Sequence, residues 1–261
     1  MSEPSCAIVT GGESGIGRAC ALAIGLAGTP VTLTYFKDQA AAAAVVAEIE
    51  AAGGRALAQQ TDVADEAQVE ALFGAAEQAF GPVRSLVNSA GLNMSGIRIG
   101  QMELAQFDRV IRADLYGPFL TCRRFVRGLD KAVGSGLGDG GRIVNISSIH
   151  ERAPRPGGVE YDSAKGGLSQ LTATLALELA PRRIAVNGVA PGMILTPMNQ
   201  SALDHPEELA RKQAAIPWGR AGTAEEVAEL VVFLLSDSAA YITGTTVTID
   251  GALSLTVALG A

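Results

Sequence analysis

The sequence predicts an α/β fold in which a seven-stranded parallel sheet carries helices on both faces, wound in both directions from its middle. Short runs rich in valine and isoleucine alternate with longer helical stretches, which is typical of parallel strands joined by right-handed crossovers. Several short runs are apolar throughout, as in strands covered on both faces. No change in composition divides the 261 residues, so we predict a single domain over residues 1–261.

The order of the elements follows from the hydrophobic pattern along the chain. The predicted strands cover residues 7–10, 31–35, 56–59, 85–88, 142–146, 184–189 and 246–250. The predicted helices begin near Gly15, Gln39, Asp65, Leu104, Tyr161 and Thr223. Residues 134–141 are rich in glycine and should be a mobile connection, whereas the proline-containing residues 196–222 should form a substrate lid.

Composition and charge exclude several classes of protein. The formal net charge of −7 argues against a nucleic-acid surface, which needs a basic patch to meet the phosphates. No apolar run reaches the roughly 18 residues of a membrane span, and the first residues lack the basic start of a signal peptide. We therefore predict a cytoplasmic protein that binds neither nucleic acid nor membrane.

Cysteine and histidine are too few and too scattered for a metal site. Cys6, Cys20 and Cys122 have neither metal-ligand spacing nor the even number of a disulfide framework, so we expect buried thiols in a reducing compartment. His150 and His205 are the two histidines of the chain. No metal is predicted.

A glycine-rich run from Thr10 to Gly17 follows the first predicted strand and opens the first helix. Glycines permit a tight turn and let backbone N–H groups approach a pyrophosphate, which the helix N-terminus also attracts. The spacing differs from G-x-G-x-x-G, so a plain glycine-rich turn is the alternative. The position between strand and helix favours dinucleotide binding. The residues predicted to hold the cofactor here are Gly11, Glu13, Ser14, Gly15, Ile16 and Gly17.

Further residues follow the carboxyl ends of predicted strands, where open α/β sheets bind their ligands. Asp62 can accept a hydrogen bond from an adenine amino group, and the small residues 88–91 can admit a ribose. Each of these segments alone could be an ordinary turn, but together they indicate a nucleotide site. The predicted contacts are Asp62, Val63, Asn88, Ala90, Gly91, Pro191, Gly192 and Thr196.

The most specific chemical signal is the pair Tyr161 and Lys165, with Ser148 thirteen residues before the tyrosine. Positions i and i+4 share a helix face, so the phenol and the ammonium can point into one cavity. A nearby cation stabilises phenolate and moves its ionisation toward neutral pH, where tyrosine can exchange a proton with an alcohol. Tyr-x-x-x-Lys alone is common on helices, so its interpretation depends on the nucleotide signals.

These motifs together resemble those of the short-chain dehydrogenase/reductases over nearly the whole chain. The resemblance lies in the runs 10–17, 88–91 and 146–148, in Tyr161-x-x-x-Lys165 and in Pro191-Gly192, in this order. It implies a Rossmann-type fold and a homotetramer. Residues 147–151, Pro154, Pro156 and residues 176–181 resemble the bacterial glucose 1-dehydrogenase branch.

The resemblance also implies roles for single residues. Tyr161 would be the general acid/base, Ser148 would hydrogen-bond the substrate oxygen, and Lys165 would assist Tyr161 and bind the nicotinamide ribose. Ile194 and Thr196 would contact the nicotinamide amide. The implied reaction moves a hydride between NAD(P)(H) and a secondary alcohol, polyol or sugar hydroxyl, or the matching ketone. A 3-oxoacyl thioester reductase and a cofactor-binding regulator with little turnover are the alternatives.

Asp114 departs from the family pattern, which has asparagine at this position to hold a water that feeds protons to the lysine. An ionised aspartate only accepts hydrogen bonds, whereas asparagine also donates them. Asp114 could still hold this water and attract Lys165, but its charge would oppose a tyrosinate. We expect a working enzyme with a shifted pH optimum. The alternative is that Asp114 only helps to bend its helix.

The end of the second strand bears on the choice between NAD and NADP. An acid at this place would accept from the adenosine ribose 2′-hydroxyl and repel a 2′-phosphate. The strand ends at Tyr35, and Lys37 can neutralise a phosphate. Both are predicted cofactor contacts, and NADP is favoured over NAD. Glu13 points the other way because it adds negative charge nearby, and Lys37 could be an ordinary solvated lysine.

Smaller signals concern the substrate and the assembly. His150 and Glu151 follow Ser148, so they either face substrate hydroxyls or pack beside the site. The arginines at 123, 124 and 127 should form a solvated helix face or subunit salt bridges. The apolar tail, residues 253–261, should find a partner subunit.

Overall fold

The computed structural model describes residues 5–94, 96–132, 140–199 and 204–258. Its strands are β1 (Cys6–Thr10), β2 (Val31–Tyr35), β3 (Ala56–Gln60), β4 (Val83–Asn88), β5 (Gly141–Ile146), β6 (Ile184–Pro191) and β7 (Thr246–Ile249). They form one sheet in the order β3-β2-β1-β4-β5-β6-β7, and every neighbouring pair is parallel. The predicted doubly wound parallel sheet is therefore confirmed.

Helices cover both faces of this sheet. They are α1 (Gly15–Leu26), α2 (Gln39–Ala51), α3 (Glu66–Phe80), α4 (Leu104–Ile111), α5 (Gly117–Ala132), α6 (Val159–Leu179), α7 (Pro206–Ala214) and α8 (Ala224–Leu235). The apolar cluster on one face joins α1, α2 and α8 to the sheet, and the cluster on the other face joins α3, α5 and α6. The inner strands are largely buried between two layers, as their apolar sequences predict, whereas the edge strands β3 and β7 are only partly buried.

Helix boundaries follow their capping residues within one or two positions of the prediction. Asp65 is the N-cap of α3 and accepts hydrogen bonds from two backbone amides of its first turn. Thr223 and Glu226 form a capping box that starts α8. The helix predicted from Leu104 is interrupted by a π-helical turn, Arg112–Tyr116, before the chain continues as α5. Such turns occur frequently at functional sites.

Arg124 lies in the interface between α5 and α3, so the prediction of a solvated arginine face is wrong at this position. Its Nε donates to Glu70 Oε2 over 2.7 Å, and Nη2 donates to Glu77 Oε2 over 2.8 Å. The guanidinium also stacks over the Phe73 ring at 5.0 Å. The acids of α3 and the aromatic ring compensate this cation within the chain, so it is not left for a neighbouring subunit.

The strand order reverses between β1 and β4, and the two strand ends are tied together there. Thr10 pairs in register with Asn88, and its Oγ1 accepts hydrogen bonds from the N–H groups of Ser89 and Ala90, each over 3.0 Å. Crevices at such reversal points are the usual ligand sites of open α/β sheets. The topology thus places the glycine-rich run and residues 88–91 side by side.

Several predicted segments lie partly outside the described residues. Of the predicted mobile connection, residues 134–139 are not described, and Gly141 belongs to β5. The predicted lid contains α7 but lacks residues 200–203, and the tail lacks residues 259–261. Within the described ranges, no helix is long and apolar enough to cross a membrane. The same ranges contain no group of three or more potential metal-ligating side chains.

Candidate active site

The glycine-rich run is a turn that only glycines can form. Gly11 and Gly15 have φ angles of +64° and +52°, where other residues are strained. A Cβ added to Gly17 would lie 2.1 Å from the carbonyl oxygen of Gly11, and one added to Gly11 would lie 2.9 Å from Ala90 Cα. Ser14 makes no side-chain cap at the start of α1, so the first amides of that helix remain available to an anion.

A cavity of about 840 Å³ opens above the carboxyl ends of the central strands. Three of the predicted site residues, Tyr35, Asn88 and His150, do not line it. Most of the predicted site residues do, and they come from the glycine loop, five strand ends, the π-helical turn and α6. Those lining the cavity are Gly11, Glu13, Ser14, Gly15, Ile16, Gly17, Lys37, Asp62, Val63, Ala90, Gly91, Asp114, Ser148, Tyr161, Lys165, Pro191, Gly192, Ile194 and Thr196.

Asn88 lies in a buried hydrogen-bond network at the end of β4. Its Nδ2 donates to Asn145 Oδ1 over 2.9 Å, and its Oδ1 accepts from Thr121 Oγ1 over 2.7 Å. The side chain therefore links β4 to β5 and α5 below the cavity. Tyr35 is buried at the end of β2, where its carbonyl oxygen accepts from the Thr61 N–H.

Lys165 and Asp114 form a buried ion pair at the centre of the site. Lys165 Nζ lies 3.1 Å from Asp114 Oδ2 and donates to the carbonyl oxygen of Ile146 over 3.0 Å. Asp114 is fully buried, and its Oδ1 accepts from the Leu92 N–H over 2.7 Å. A Cβ on Gly91 would lie 2.7 Å from Asp114 Oδ2, so glycine at this position permits the close approach.

The charges of this pair are set by burial and by each other. Burial raises the pKa of Asp114, while Lys165 and the Leu92 amide oppose that rise only in part. Burial also disfavours charge on Lys165, but the attraction of Asp114 and Tyr161 outweighs it and raises the pKa of the lysine. Lys165 therefore remains an ammonium at neutral pH.

Tyr161 and Ser148 are both nearly buried at the cavity wall. Lys165 Nζ lies 5.4 Å from the centre of the Tyr161 ring, and the Arg155 guanidinium lies 5.5 Å from it. Tyr161 is thus close to two cations. Ser148 Oγ accepts from the His150 N–H over 3.2 Å, which leaves its own hydroxyl hydrogen to donate.

His150 and Glu151 support the site from beside Tyr161. The His150 ring meets the Tyr161 ring edge-on at 6.2 Å. His150 Nδ1 lies 2.8 Å from the carbonyl oxygen of Ala153, which only accepts, so Nδ1 carries the hydrogen. Glu151 Oε2 accepts from Ser147 Oγ over 2.7 Å. Of the two alternatives left open, this arrangement matches packing beside the site.

Some residues that line the cavity were not among the predicted site residues. Phe36 and Ser147 directly precede the predicted site residues Lys37 and Ser148, so their positions in the sequence could have indicated them. Arg109 and Arg112 line the cavity from α4 and the turn after it, and their spacing of three places them on one helix face with Asp108 nearby. Met198 follows the predicted nicotinamide contact Thr196, but residue type alone gave no reason to select it.

Comparison with known proteins relates nearly the whole chain to one family and one fold. A family model described as enoyl-(acyl carrier protein) reductase matches residues 11–254. The chain is 40% identical to 3β-hydroxysteroid dehydrogenase 1 of Eggerthella lenta, covering 95% of this chain and 93% of that protein. It is 36% identical to glucose 1-dehydrogenase 2 of Bacillus subtilis, covering 95% and 94%. The crystal structure of a 3-ketoacyl-(acyl-carrier-protein) reductase from Brucella melitensis, complexed with NADH, has a TM-score of 0.86 at 32% identity and covers 96% and 98%.

Fold, site and relatives together define a nicotinamide-dependent oxidoreductase that acts on CH–OH or keto groups. The chain belongs to the short-chain dehydrogenase/reductase family, which confirms the predicted resemblance. The relatives are named for different substrates, namely a hydroxysteroid, glucose and a 3-ketoacyl-(acyl-carrier-protein). Similarity alone therefore identifies the family and the type of reaction, and the substrate must be inferred from the site.

Proposed function

We propose that the protein moves a hydride between NAD(P)(H) and a secondary alcohol, polyol or sugar hydroxyl, or the matching ketone, with Tyr161 as the general acid/base. One observation carries the proposal: Ser148, Tyr161 and Lys165 line the same cavity as the glycine loop. An acid/base group beside a dinucleotide cradle is what an alcohol dehydrogenase needs.

The residues around the cavity fit a nicotinamide dinucleotide. A Cβ on Gly12 would lie 2.6 Å from Leu33 Cβ, so the loop packs closely on β2, where the Gly11 and Gly12 N–H groups donate to Thr34. The uncapped first turn of α1 is then the part that can face a pyrophosphate. Asp62 and Val63 would hold the adenine end, and Ile194 and Thr196 the nicotinamide end. When bound, the cofactor supplies the hydride donor or acceptor.

Tyr161 would take the proton of an alcohol during oxidation and return it to the ketone oxygen during reduction. Lys165 stabilises the tyrosinate because its ammonium lies close to the ring. Ser148 donates a hydrogen bond to the same substrate oxygen and stabilises negative charge that develops there. Asp114 holds the lysine in place and, as an anion, opposes the tyrosinate, which moves the pH optimum of oxidation upward.

The proposal is tested by screening sugars, polyols, secondary alcohols and ketones with both nucleotides, while following the near-ultraviolet absorbance of the reduced nicotinamide. We expect turnover with at least one of these classes. Turnover confined to 3-oxoacyl thioesters would favour the second candidate described below. Tight nucleotide binding without turnover of any compound would instead favour a regulator, although the complete set of Ser148, Tyr161 and Lys165 speaks against it.

A 3-oxoacyl thioester reductase is the second candidate function. The exposed Arg109 and Arg112 line the cavity on the α4 side and offer positive charge to an acidic carrier or to the phosphates of a thioester. The strongly acidic chain as a whole opposes such docking. Acetoacetyl-coenzyme A is the direct test, and reduction that falls steeply with added salt would support this candidate.

We also propose that the protein is a homotetramer and that residues 196–222 act as a substrate lid over one catalytic domain. An apolar groove of about 510 Å³ runs between the π-helical turn, α5 and α6, and the half-exposed Phe119 lines it. A second copy of this groove would cover such an apolar face. Light scattering should report a tetramer, and Phe119→Glu should dissociate it. A monomeric wild type would contradict the proposal.

A cytoplasmic location remains part of the proposal. Cys6, Cys20 and Cys122 are free and buried, and burial raises the pKa of each thiol to about 12. Unpaired thiols of this kind are usual in proteins of a reducing compartment. Fractionation of cells that express the protein would show its location.

A further inference from the structure

Glu13 belongs to the glycine loop, but its side chain reaches the end of β2. Glu13 Oε1 accepts a hydrogen bond from the backbone N–H of Phe36 over 3.4 Å, and Phe36 directly follows the last residue of β2. In dinucleotide-binding folds, an acid at the end of this strand recognises the ribose 2′-hydroxyl. Positions 35 and 36 of this chain are tyrosine and phenylalanine, so the strand end itself supplies no acid. The Glu13 carboxylate reaches this strand end from the glycine loop.

The second oxygen of this carboxylate is buried at the cavity wall. Glu13 Oε2 is inaccessible to solvent and has no hydrogen-bond partner within the described part of the chain, although Glu13 lines the cavity. The neighbouring acids are already engaged with backbone amides: Asp38 Oδ1 accepts from the Ala41 N–H, and Asp62 Oδ1 accepts from the Ala64 N–H. A buried acceptor without a donor calls for a donor from a ligand.

A ribose 2′-hydroxyl and a 2′-phosphate differ in what they offer to this oxygen. The hydroxyl can donate to Glu13 Oε2, whereas the phosphate would place a second anion against a carboxylate. The cations of this region act less directly. Lys37 is exposed and its Nζ lies 5.6 Å from the Phe36 ring, and Arg18 is bound to Glu48 over 2.6 Å. Water screens such exposed charges, whereas Glu13 is partly buried at the cavity wall, and a small rotation of its side chain would bring Oε2 to a ligand hydroxyl.

We propose that Glu13 selects the cofactor, by accepting from the adenosine ribose 2′-hydroxyl and excluding a 2′-phosphate, so that the enzyme prefers NAD. This inference rests on the proposed function, because it assumes that the cavity binds a nicotinamide dinucleotide. It opposes the preference for NADP that Lys37 suggested in the sequence. The structural difference is that the Glu13 carboxylate accepts from the Phe36 N–H at the strand end, whereas Lys37 is exposed and lies over the Phe36 ring.

The test measures binding to the protein without substrate, so that it does not depend on turnover. Calorimetric titrations compare NAD⁺ with NADP⁺, and AMP with adenosine 2′,5′-bisphosphate, which isolate the adenosine end. We expect wild type to bind the form without the 2′-phosphate about tenfold or more tightly. Glu13→Gln keeps an oxygen acceptor but removes the charge, and it should reduce this ratio by about tenfold. Glu50→Gln, the control, removes an exposed acid of α2 that does not line the cavity and should leave the ratio within about threefold of wild type.

The outcomes separate the inference from the proposed function. Tighter binding of the 2′-phosphorylated forms by wild type would overturn the role of Glu13, and so would a ratio that Glu13→Gln leaves unchanged. In either case the dinucleotide site itself would stand, because both nucleotides bind. If no nucleotide binds to wild type, the proposed function and the inference both fail. Thermal melting of Glu13→Gln close to that of wild type would show that the ratio reports binding and not unfolding.

Discussion

Replacing Asp114 with asparagine removes one negative charge from the active site and leaves the side-chain volume nearly unchanged. Asp114 Oδ2 lies 3.1 Å from Lys165 Nζ, which lies 5.4 Å from the centre of the Tyr161 ring. These distances add up to 8.5 Å, the largest separation they allow between the carboxylate oxygen and the ring centre. Asp114 is therefore close enough to act directly on a tyrosinate.

The size of the effect follows from this separation. At an effective dielectric constant of about 20, two unit charges that far apart interact with about 2 kcal/mol. A change of about 1.4 kcal/mol moves an ionisation by one pH unit. We therefore expect Asp114→Asn to shift the acidic limb of the pH–rate profile for alcohol oxidation by about one unit toward lower pH. Burial raises the pKa of Asp114, and any protonated fraction in wild type reduces this shift.

The assay compares kcat/KM for alcohol oxidation across pH in wild type, Asp114→Asn and Asp108→Asn. Asp108 is the matched control, because it is an acid that lines the same cavity from α4 but is exposed to water. Its profile should superimpose on that of wild type. Identical profiles for wild type and Asp114→Asn would refute the reasoning, and a shift toward higher pH would reverse its sign.

Two further substitutions test the glycine loop and a helix cap. Gly17→Ala should abolish NAD(P) binding in a calorimetric titration, because its Cβ would lie 2.1 Å from the Gly11 carbonyl oxygen, whereas Gly74→Ala, with open space around it, should bind normally. Hydrogen bonding to Arg220 lowers the pKa of Glu226 from 4.5 to about 2, so its contribution to stability is present above pH 4.5 and is lost as the pH falls toward 2. Glu226→Gln should therefore lower Tm at neutral pH, and this difference should shrink over that range; a constant difference would contradict the assignment.

The sequence predicted those parts of the molecule that depend on local pattern. The seven strands were recognisable because most are short runs rich in apolar residues between turn residues, and each observed strand overlaps its prediction. Helical spacing alone placed Tyr161 and Lys165 on one face of α6, and both line the cavity. The glycine loop was also predictable, because a glycine-rich run between a strand and a helix is typical of a dinucleotide-binding turn.

The parts that the sequence did not predict depend on contacts between distant elements. The sequence around Arg124 is that of a surface residue, because its partners, two glutamates and the Phe73 ring, all belong to α3. Nothing local indicated the π-helical turn that turns Asp114 inward toward Lys165. The contact of Glu13 with the end of β2 likewise requires the folded sheet, because the two residues are 23 positions apart.

The most direct test of the account is the turnover of Tyr161→Phe, measured together with its nucleotide binding. The substitution removes the phenolic hydroxyl and keeps the ring that packs beside His150. We expect the nucleotide to bind as in wild type, while kcat with any substrate found in the screen falls by at least about a hundredfold. Turnover close to that of wild type would contradict the assignment of Tyr161 as the general acid/base.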